Sequence, residues 1–145
     1  MPTADEGGRK GMNQEQLIQE AKEMRDKAYV PYSNFRVGAA LKSKSGVLYT
    51  GCNIENAAFP VSCCAERVAI FKAISEGETA FEALAVAADT PGPVSPCGSC
   101  RQVMSEFFDE MVQIHLVNMG NNKTTVTVEN LLPFSFQSDD MTDTR

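Results

Sequence analysis

Basic residues are the scarce kind in this chain: 13 lysines and arginines stand against 19 aspartates and glutamates, for a formal charge of −6. No stretch gathers those few cations into a basic face. Recognition of DNA or RNA needs such a face to neutralise phosphates, so a long polyanionic substrate is disfavoured where a small neutral one is not. Long apolar runs are missing too. Nothing approaches the ~18 apolar residues that span a bilayer, and the first residues lack the apolar core of a signal peptide. The expectation is a cytoplasmic protein with no membrane partner. Histidine is nearly absent: His115 is the only one, and its apolar, strand-like surroundings mark it as structural. Internal repeats and low-complexity segments are also lacking.

At 145 residues the chain has the length of one domain, long enough to bury roughly 70 % of its unfolded surface without a covalent staple. Residues 1–11 are polar and glycine-rich and read as a disordered leader or an expression remnant, with Met12 a natural start. The single domain is then 12–136, and the polar tail 137–145 is read as flexible. From Asn13, a suitable N-cap, Leu17, Ala21, Met24 and Ala28 form a helical stripe that ends before Pro31. Strands are expected over Arg36–Lys42 and Val47–Ile54, with Ser43-Lys44-Ser45-Gly46 turning between them. Cys64–Ser75 reads as a helix stopped by Gly77, Phe81–Ala88 as a buried strand, and Cys97–Phe108 as a helix after a Pro- and Gly-rich loop. Val112–Asn118 and Thr124–Val128 complete the strands. This order predicts a mixed sheet with helices on both faces.

The abundance that matters is cysteine, at positions 52, 63, 64, 97 and 100. An odd count in a chain of cytosolic character argues against a disulfide framework and toward metal or redox chemistry. Cys97 and Cys100 are spaced to share one face at a helix start, after Pro96, which needs no N–H there. The positive end of a helix favours thiolate over thiol. Cys64 opens another predicted helix and supplies a third thiolate in the same way. Three protein ligands leave one tetrahedral position open, as catalytic zinc requires; structural zinc needs a fourth ligand. Cys63 points away if Cys64 is bound, Cys52 lies in a strand, and His115 is structural, so none is a good fourth.

Glu66 follows Cys64 closely enough to reach the open position if Cys64 sits at the helix cap; deeper in a helix the two would face apart. A carboxylate there can take a proton from metal-activated water and return it to substrate. The plain alternative is a surface glutamate favoured by the helix dipole. Arg67 can hydrogen-bond the Cys64 thiolate and draw charge from a cluster that three thiolates leave at −1 around a +2 ion; its alternative is a solvated arginine.

Cys64-Ala65-Glu66 followed by Pro96-Cys97-Gly98-Ser99-Cys100 resembles the zinc nucleoside deaminases of the cytidine/deoxycytidylate deaminase superfamily, in their all-cysteine variant. Pro31 to Ala40 (PYSNFRVGAA), Gly51-Cys52-Asn53-Ile54-Glu55-Asn56 and Leu131-Leu132-Pro133 are similar to the small homotetrameric cytidine deaminases, so the resemblance covers about residues 13–137. It implies an α/β fold of three layers, α/β/α, around a mixed sheet of about five strands. It also implies hydrolytic deamination of free cytidine and 2′-deoxycytidine to uridine and 2′-deoxyuridine in pyrimidine salvage, with release of ammonia.

Carried over by position, Cys64, Cys97 and Cys100 bind one Zn²⁺ per subunit, hydroxide held at zinc attacks C4, and Glu66 shuttles protons. Asn53 and Glu55, on one strand face, hold the ribose hydroxyls. Phe35 stacks on the pyrimidine, and backbone groups of Ala65 and Ser95 read its edge. Phe136 resembles the C-terminal phenylalanine that closes a neighbouring subunit's pocket; by composition alone either phenylalanine could be plain core. The chain departs from the family at Phe59, where a tyrosine is common, and at Phe134, where a small residue is usual. Three other readings stand beside this one: a dithiol redox protein using Cys97 and Cys100, a structural-zinc interaction module, and a deaminase acting on nucleic acid.

Overall fold

The first helix begins where Asn13 and Gln16 satisfy each other. The Asn13 side chain accepts the Gln16 N–H at 2.8 Å, and the Gln16 side chain accepts the Asn13 N–H at 2.9 Å. This reciprocal pair pairs two amides that a helix start otherwise leaves bare. Helix α1 runs Gln14–Met24 in the computed structural model, which describes residues 12–141; the predicted leader 1–11 lies outside them. The α-helix stops short of the expected Ala28 and tightens into a 3-10 turn, Arg25–Lys27. Arg36 is the cause: its Nη1 donates to the carbonyls of Arg25 (3.3 Å) and Ala28 (2.9 Å), and Ala28 is already extended.

Five strands follow the predicted order, with ends shifted by at most two residues: β1 Val37–Ser43, β2 Leu48–Cys52, β3 Phe81–Ala88, β4 Gln113–Val117 and β5 Lys123–Val126. Strand β2 falls two residues short of Ile54. Past Asn53, whose N–H still reaches the Val37 carbonyl, the chain leaves β1, and Ile54 pairs with Tyr29 on one side and Cys63 on the other. Helices α2 (Ala65–Ser75), α3 (Gly98–Phe107) and the single turn α4 (Val128–Leu131) complete the domain. Thr124–Val128 was expected as one strand; Val128 instead begins α4, because Asn130 Oδ1 accepts the Thr127 N–H at 3.0 Å and turns the chain. Residues Ser138–Met141 form a further 3-10 turn.

The sheet order is β2-β1-β3-β4-β5, and only β3 and β4 run parallel. A parallel pair needs a crossover, and here the loop carrying Cys97, together with α3, supplies it. Alternation sorts the sheet into two faces. Ala40, Ala83, Ala85 and Ala87 meet Leu17 and Ala21 of α1, while Ala39, Leu41, Leu84, Val86 and Ala88 meet α2 and α3. Two glycines set how closely helices approach. A Cβ at Gly38 would strike the Ala21 carbonyl of α1, and one at Gly51 would strike the Ala65 carbonyl of α2. The second contact seats the start of α2, and hence Cys64, directly against the sheet. Among the described residues no helix is long and apolar enough to cross a membrane.

Candidate active site

Cys64 and Cys97 are the N-caps of α2 and α3, each in extended backbone, one residue ahead of where the pattern placed them. Neither makes the usual side-chain cap; their sulfurs point at one another instead. Cys64 Sγ lies 3.6 Å from Cys97 Sγ, and Cys97 Sγ lies 3.4 Å from Cys100 Sγ, in the first turn of α3. All three fall within 4.8 Å of each other, and no other His, Cys, Asp or Glu joins them among the described residues. Tetrahedral zinc with Zn–S bonds of ~2.3 Å spaces its sulfurs by ~3.8 Å. The donors therefore fit zinc in kind and spacing, with one position left for a non-protein ligand.

Electrostatics favour the charged form of Cys64. Hydrogen bonding from Cys100, then from Arg67 and Cys97, pulls the Cys64 thiol down to about 5, against the burial that opposes it. Cys100, the donor in that pair, is pushed up. Arg67 Nη2 donates to Cys64 Sγ at 3.3 Å, as the spacing predicts. Its Nε is buried without a partner, and the side chain is half-buried beside the thiols. Glu66 is 4 % exposed. Burial is the main force raising its carboxyl to about 7, and the Cys64 charge adds to it; its own backbone N–H and Arg67 pull the other way. A carboxyl tuned near neutrality can both take and return a proton.

The other cysteines stand apart. Cys63 is tied through its backbone to Ile54, and Cys52 is buried in β2; burial raises both thiols. His115, on the α1 face of β4, bonds Thr125 Oγ1 through Nδ1 at 2.8 Å.

Asn53 and Glu55 lie beyond the end of β2, so they do not share a strand face as expected. Asn53 Oδ1 accepts the Val37 N–H at 2.9 Å, and its Nδ2 donates to the Phe35 carbonyl at 2.7 Å. Glu55 accepts the backbone N–H groups of Tyr32 and Ser33, at 3.0 and 3.1 Å, and the Ser33 hydroxyl. That hydroxyl is the chief reason its carboxyl sits below the usual range. Both side chains thus brace the segment that presents Phe35, an exposed aromatic. An open hollow of about 360 Å³ lies beside them, lined by Tyr32, Ser33, Glu55, Asn56, Phe59 and Ser62. Phe59 meets Tyr32 edge to face at 6.3 Å.

Ala65 is fully buried at the first turn of α2, and Ser95 is exposed on the loop before Cys97. Phe136 is half exposed, its carbonyl held by Gln102 Nε2 at 2.9 Å. Phe134 is fully exposed with φ +58°, a region where a Cβ is disfavoured. That is a physical reason for a small residue there, and this chain departs from it. Sequence reasoning missed Ser33 and Arg101. The only signal for Arg101 was its place immediately after Cys100.

Comparison with known proteins agrees with this geometry. The family described as the cytidine and deoxycytidylate deaminase zinc-binding region matches residues 12–116. A cytidine deaminase of Sporosarcina psychrophila is 52% identical over 130 residues, 90% of this chain and 96% of the relative. One of Halalkalibacterium halodurans is 49% identical over 132 residues, 91% of this chain and 100% of the relative. The crystal structure of cytidine deaminase from Burkholderia pseudomallei superimposes with a TM-score of 0.84 at 45% identity, covering 86% of this chain and 100% of that one. Sequence, fold and thiol cluster converge on one assignment: this chain belongs to the cytidine and deoxycytidylate deaminase zinc-binding family.

Proposed function

We propose that the chain hydrolyses the 4-amino group of free cytidine and 2′-deoxycytidine, giving uridine or 2′-deoxyuridine and ammonia. The observation that carries this is the meeting of three thiols at two helix starts with Glu66 buried beside them. Cys64, Cys97 and Cys100 would hold zinc, which when bound supplies Lewis acidity and brings the pKa of water toward ~7. Glu66 takes a proton from the attacking water and delivers it to N3 of the pyrimidine. Glu66 then takes the proton of the hydroxyl newly formed at C4 and passes it to the departing amine, so that the C4–N bond breaks as the C4 carbonyl forms. Arg67 offsets the surplus negative charge of the thiolates. Phe35 stacks on the base, backbone groups of Ala65 and Ser95 read its edge, and Asn53 and Glu55 hold the ribose while bracing the Phe35 segment.

The site is completed in a homotetramer, where Phe136 reaches a neighbour's pocket. Five free cysteines suit the reducing cytoplasm, and the acidic charge suits a nucleoside better than a nucleic acid.

The test is the ultraviolet absorbance of cytidine with zinc-loaded protein, against Glu66→Gln. The variant should keep one zinc per chain and lose ~100- to 10,000-fold in kcat. Loss of metal along with activity would mean that Glu66 serves the metal rather than the proton. A wild-type protein that holds zinc and leaves cytidine unchanged would sink the deaminase reading in favour of structural zinc, and absence of stoichiometric zinc would favour the dithiol.

A further inference from the structure

We infer that Arg101 is a positioning residue that joins the loop entering the thiol cluster to the C-terminal segment. Its guanidinium donates in three directions. Nε donates to the Pro96 carbonyl at 2.8 Å, Nη2 to Ser95 Oγ at 2.7 Å, and Nη1 to the Leu131 carbonyl at 2.8 Å. Its backbone N–H closes the first turn of α3 on the Cys97 carbonyl at 3.1 Å. One residue therefore grips both positions that precede Cys97 while it is itself bonded to Cys100 in the chain.

The third bond reaches across to the end of α4. A carbonyl at a helix end has no partner within the helix, and here a fixed cation supplies one. The next residues of α3 extend the junction. Gln102 holds the Phe136 carbonyl at 2.9 Å, and Ser105 bonds Ser135 Oγ at 2.9 Å and Gln137 Nε2 at 2.8 Å. The C-terminal segment thus lies along α3, and Arg101 is the point at which that contact meets the thiol loop. A planar fork can serve three separated acceptors; an ammonium on a flexible stem cannot hold all three in register.

The functional consequence rests on the deaminase reading, in which Ser95 and Phe136 face substrate. Without Arg101 the Ser95 edge and the C-terminal segment lose their common register. Substrate contacts made equally in the ground and transition states, once loosened, raise KM and leave kcat nearly unchanged. The experiment compares zinc-loaded wild type with Arg101→Lys and Ser95→Ala. In Arg101→Lys we expect KM for cytidine to rise about tenfold, with kcat within about threefold. Zinc release to a colorimetric chelator should also be faster. A merely structural role would lower melting temperature and the active fraction, leaving KM untouched. Ser95→Ala removes one bond of three and should raise KM less.

Wild-type KM together with wild-type zinc release in Arg101→Lys would overturn the inference. If Arg101→Lys does not fold, Ser95→Ala decides: raised KM supports the junction, and unchanged KM overturns it. If wild type itself leaves cytidine unchanged, the deaminase reading falls, and the zinc-release comparison still decides whether Arg101 braces the cluster.

Discussion

His115 lies on the face of the sheet away from the thiols, 1 % exposed, with Thr125 as its partner. Burial holds its pKa below the ordinary ~6.5. The unfolded chain therefore takes up a proton near pH 6.5 that the folded chain resists, so stability is present above that value and declines as pH falls below it. The melting temperature of wild type should drop between pH 7 and pH 5, and its advantage over His115→Gln at equal zinc content should shrink across that window. A constant difference between the two proteins would show that His115 titrates alike in both states. At this scale legibility was uneven. Glu66 and Arg67 could be read because they follow Cys64 at spacings that helix geometry constrains. Arg101 could not, because its partners Ser95, Pro96 and Leu131 lie on two other segments.

Among the elements, β3 was readable residue for residue, since a central strand covered on both faces shows an unbroken apolar run. The starts of α2 and α3 were displaced by one position. Cysteine is not a customary N-cap, and nothing in the pattern showed that Cys64 and Cys97 forgo the cap to face one another. The turn α4 was hidden because Asn130 stands where the recognised capping signature carries Glu or Gln. Asn53 and Glu55 were expected to share one strand face, whereas their side-chain bonds to residues 32–37 hold them beyond the end of β2.

The packing of α1 gives a prediction of its own. A methyl at Gly38 meets backbone atoms of Ala21 and Arg25, which no rotamer change can move aside. Gly38→Ala should destabilise by about 1–3 kcal/mol, lowering the urea midpoint at unchanged slope. Gly92→Ala, with nothing within 4 Å of the added carbon, is the control. Equal midpoints for Gly38→Ala and wild type would mean that α1 is not seated on β1 as described.

The whole molecule leaves large apolar side chains uncovered. Tyr32, Ile54, Phe59 and Val61 form one such group, and Phe134 and Phe136 another, all more than two-fifths exposed. Single exposed apolar residues are ordinary, and the proposed tetramer is what would cover these. Sedimentation equilibrium of zinc-loaded protein should give four times the mass of the chain. The mass of a single chain would remove both the tetramer and the neighbour's Phe136 from the site.

The separation of Cys64 from Cys97 has a consequence for portability. Any excised segment holding all three sulfurs must run from 64 to 100, and β3 lies inside it. β3 is the middle strand, whose N–H and C=O groups are satisfied by β1 on one edge and β4 on the other. Cut loose, it would carry two unpaired edges and an apolar face on each side, a template for aggregation rather than a scaffold. A zinc finger travels between proteins as a short self-contained loop; this centre cannot. Grafting it elsewhere means transplanting the sheet, and shortening the protein around it means losing the metal.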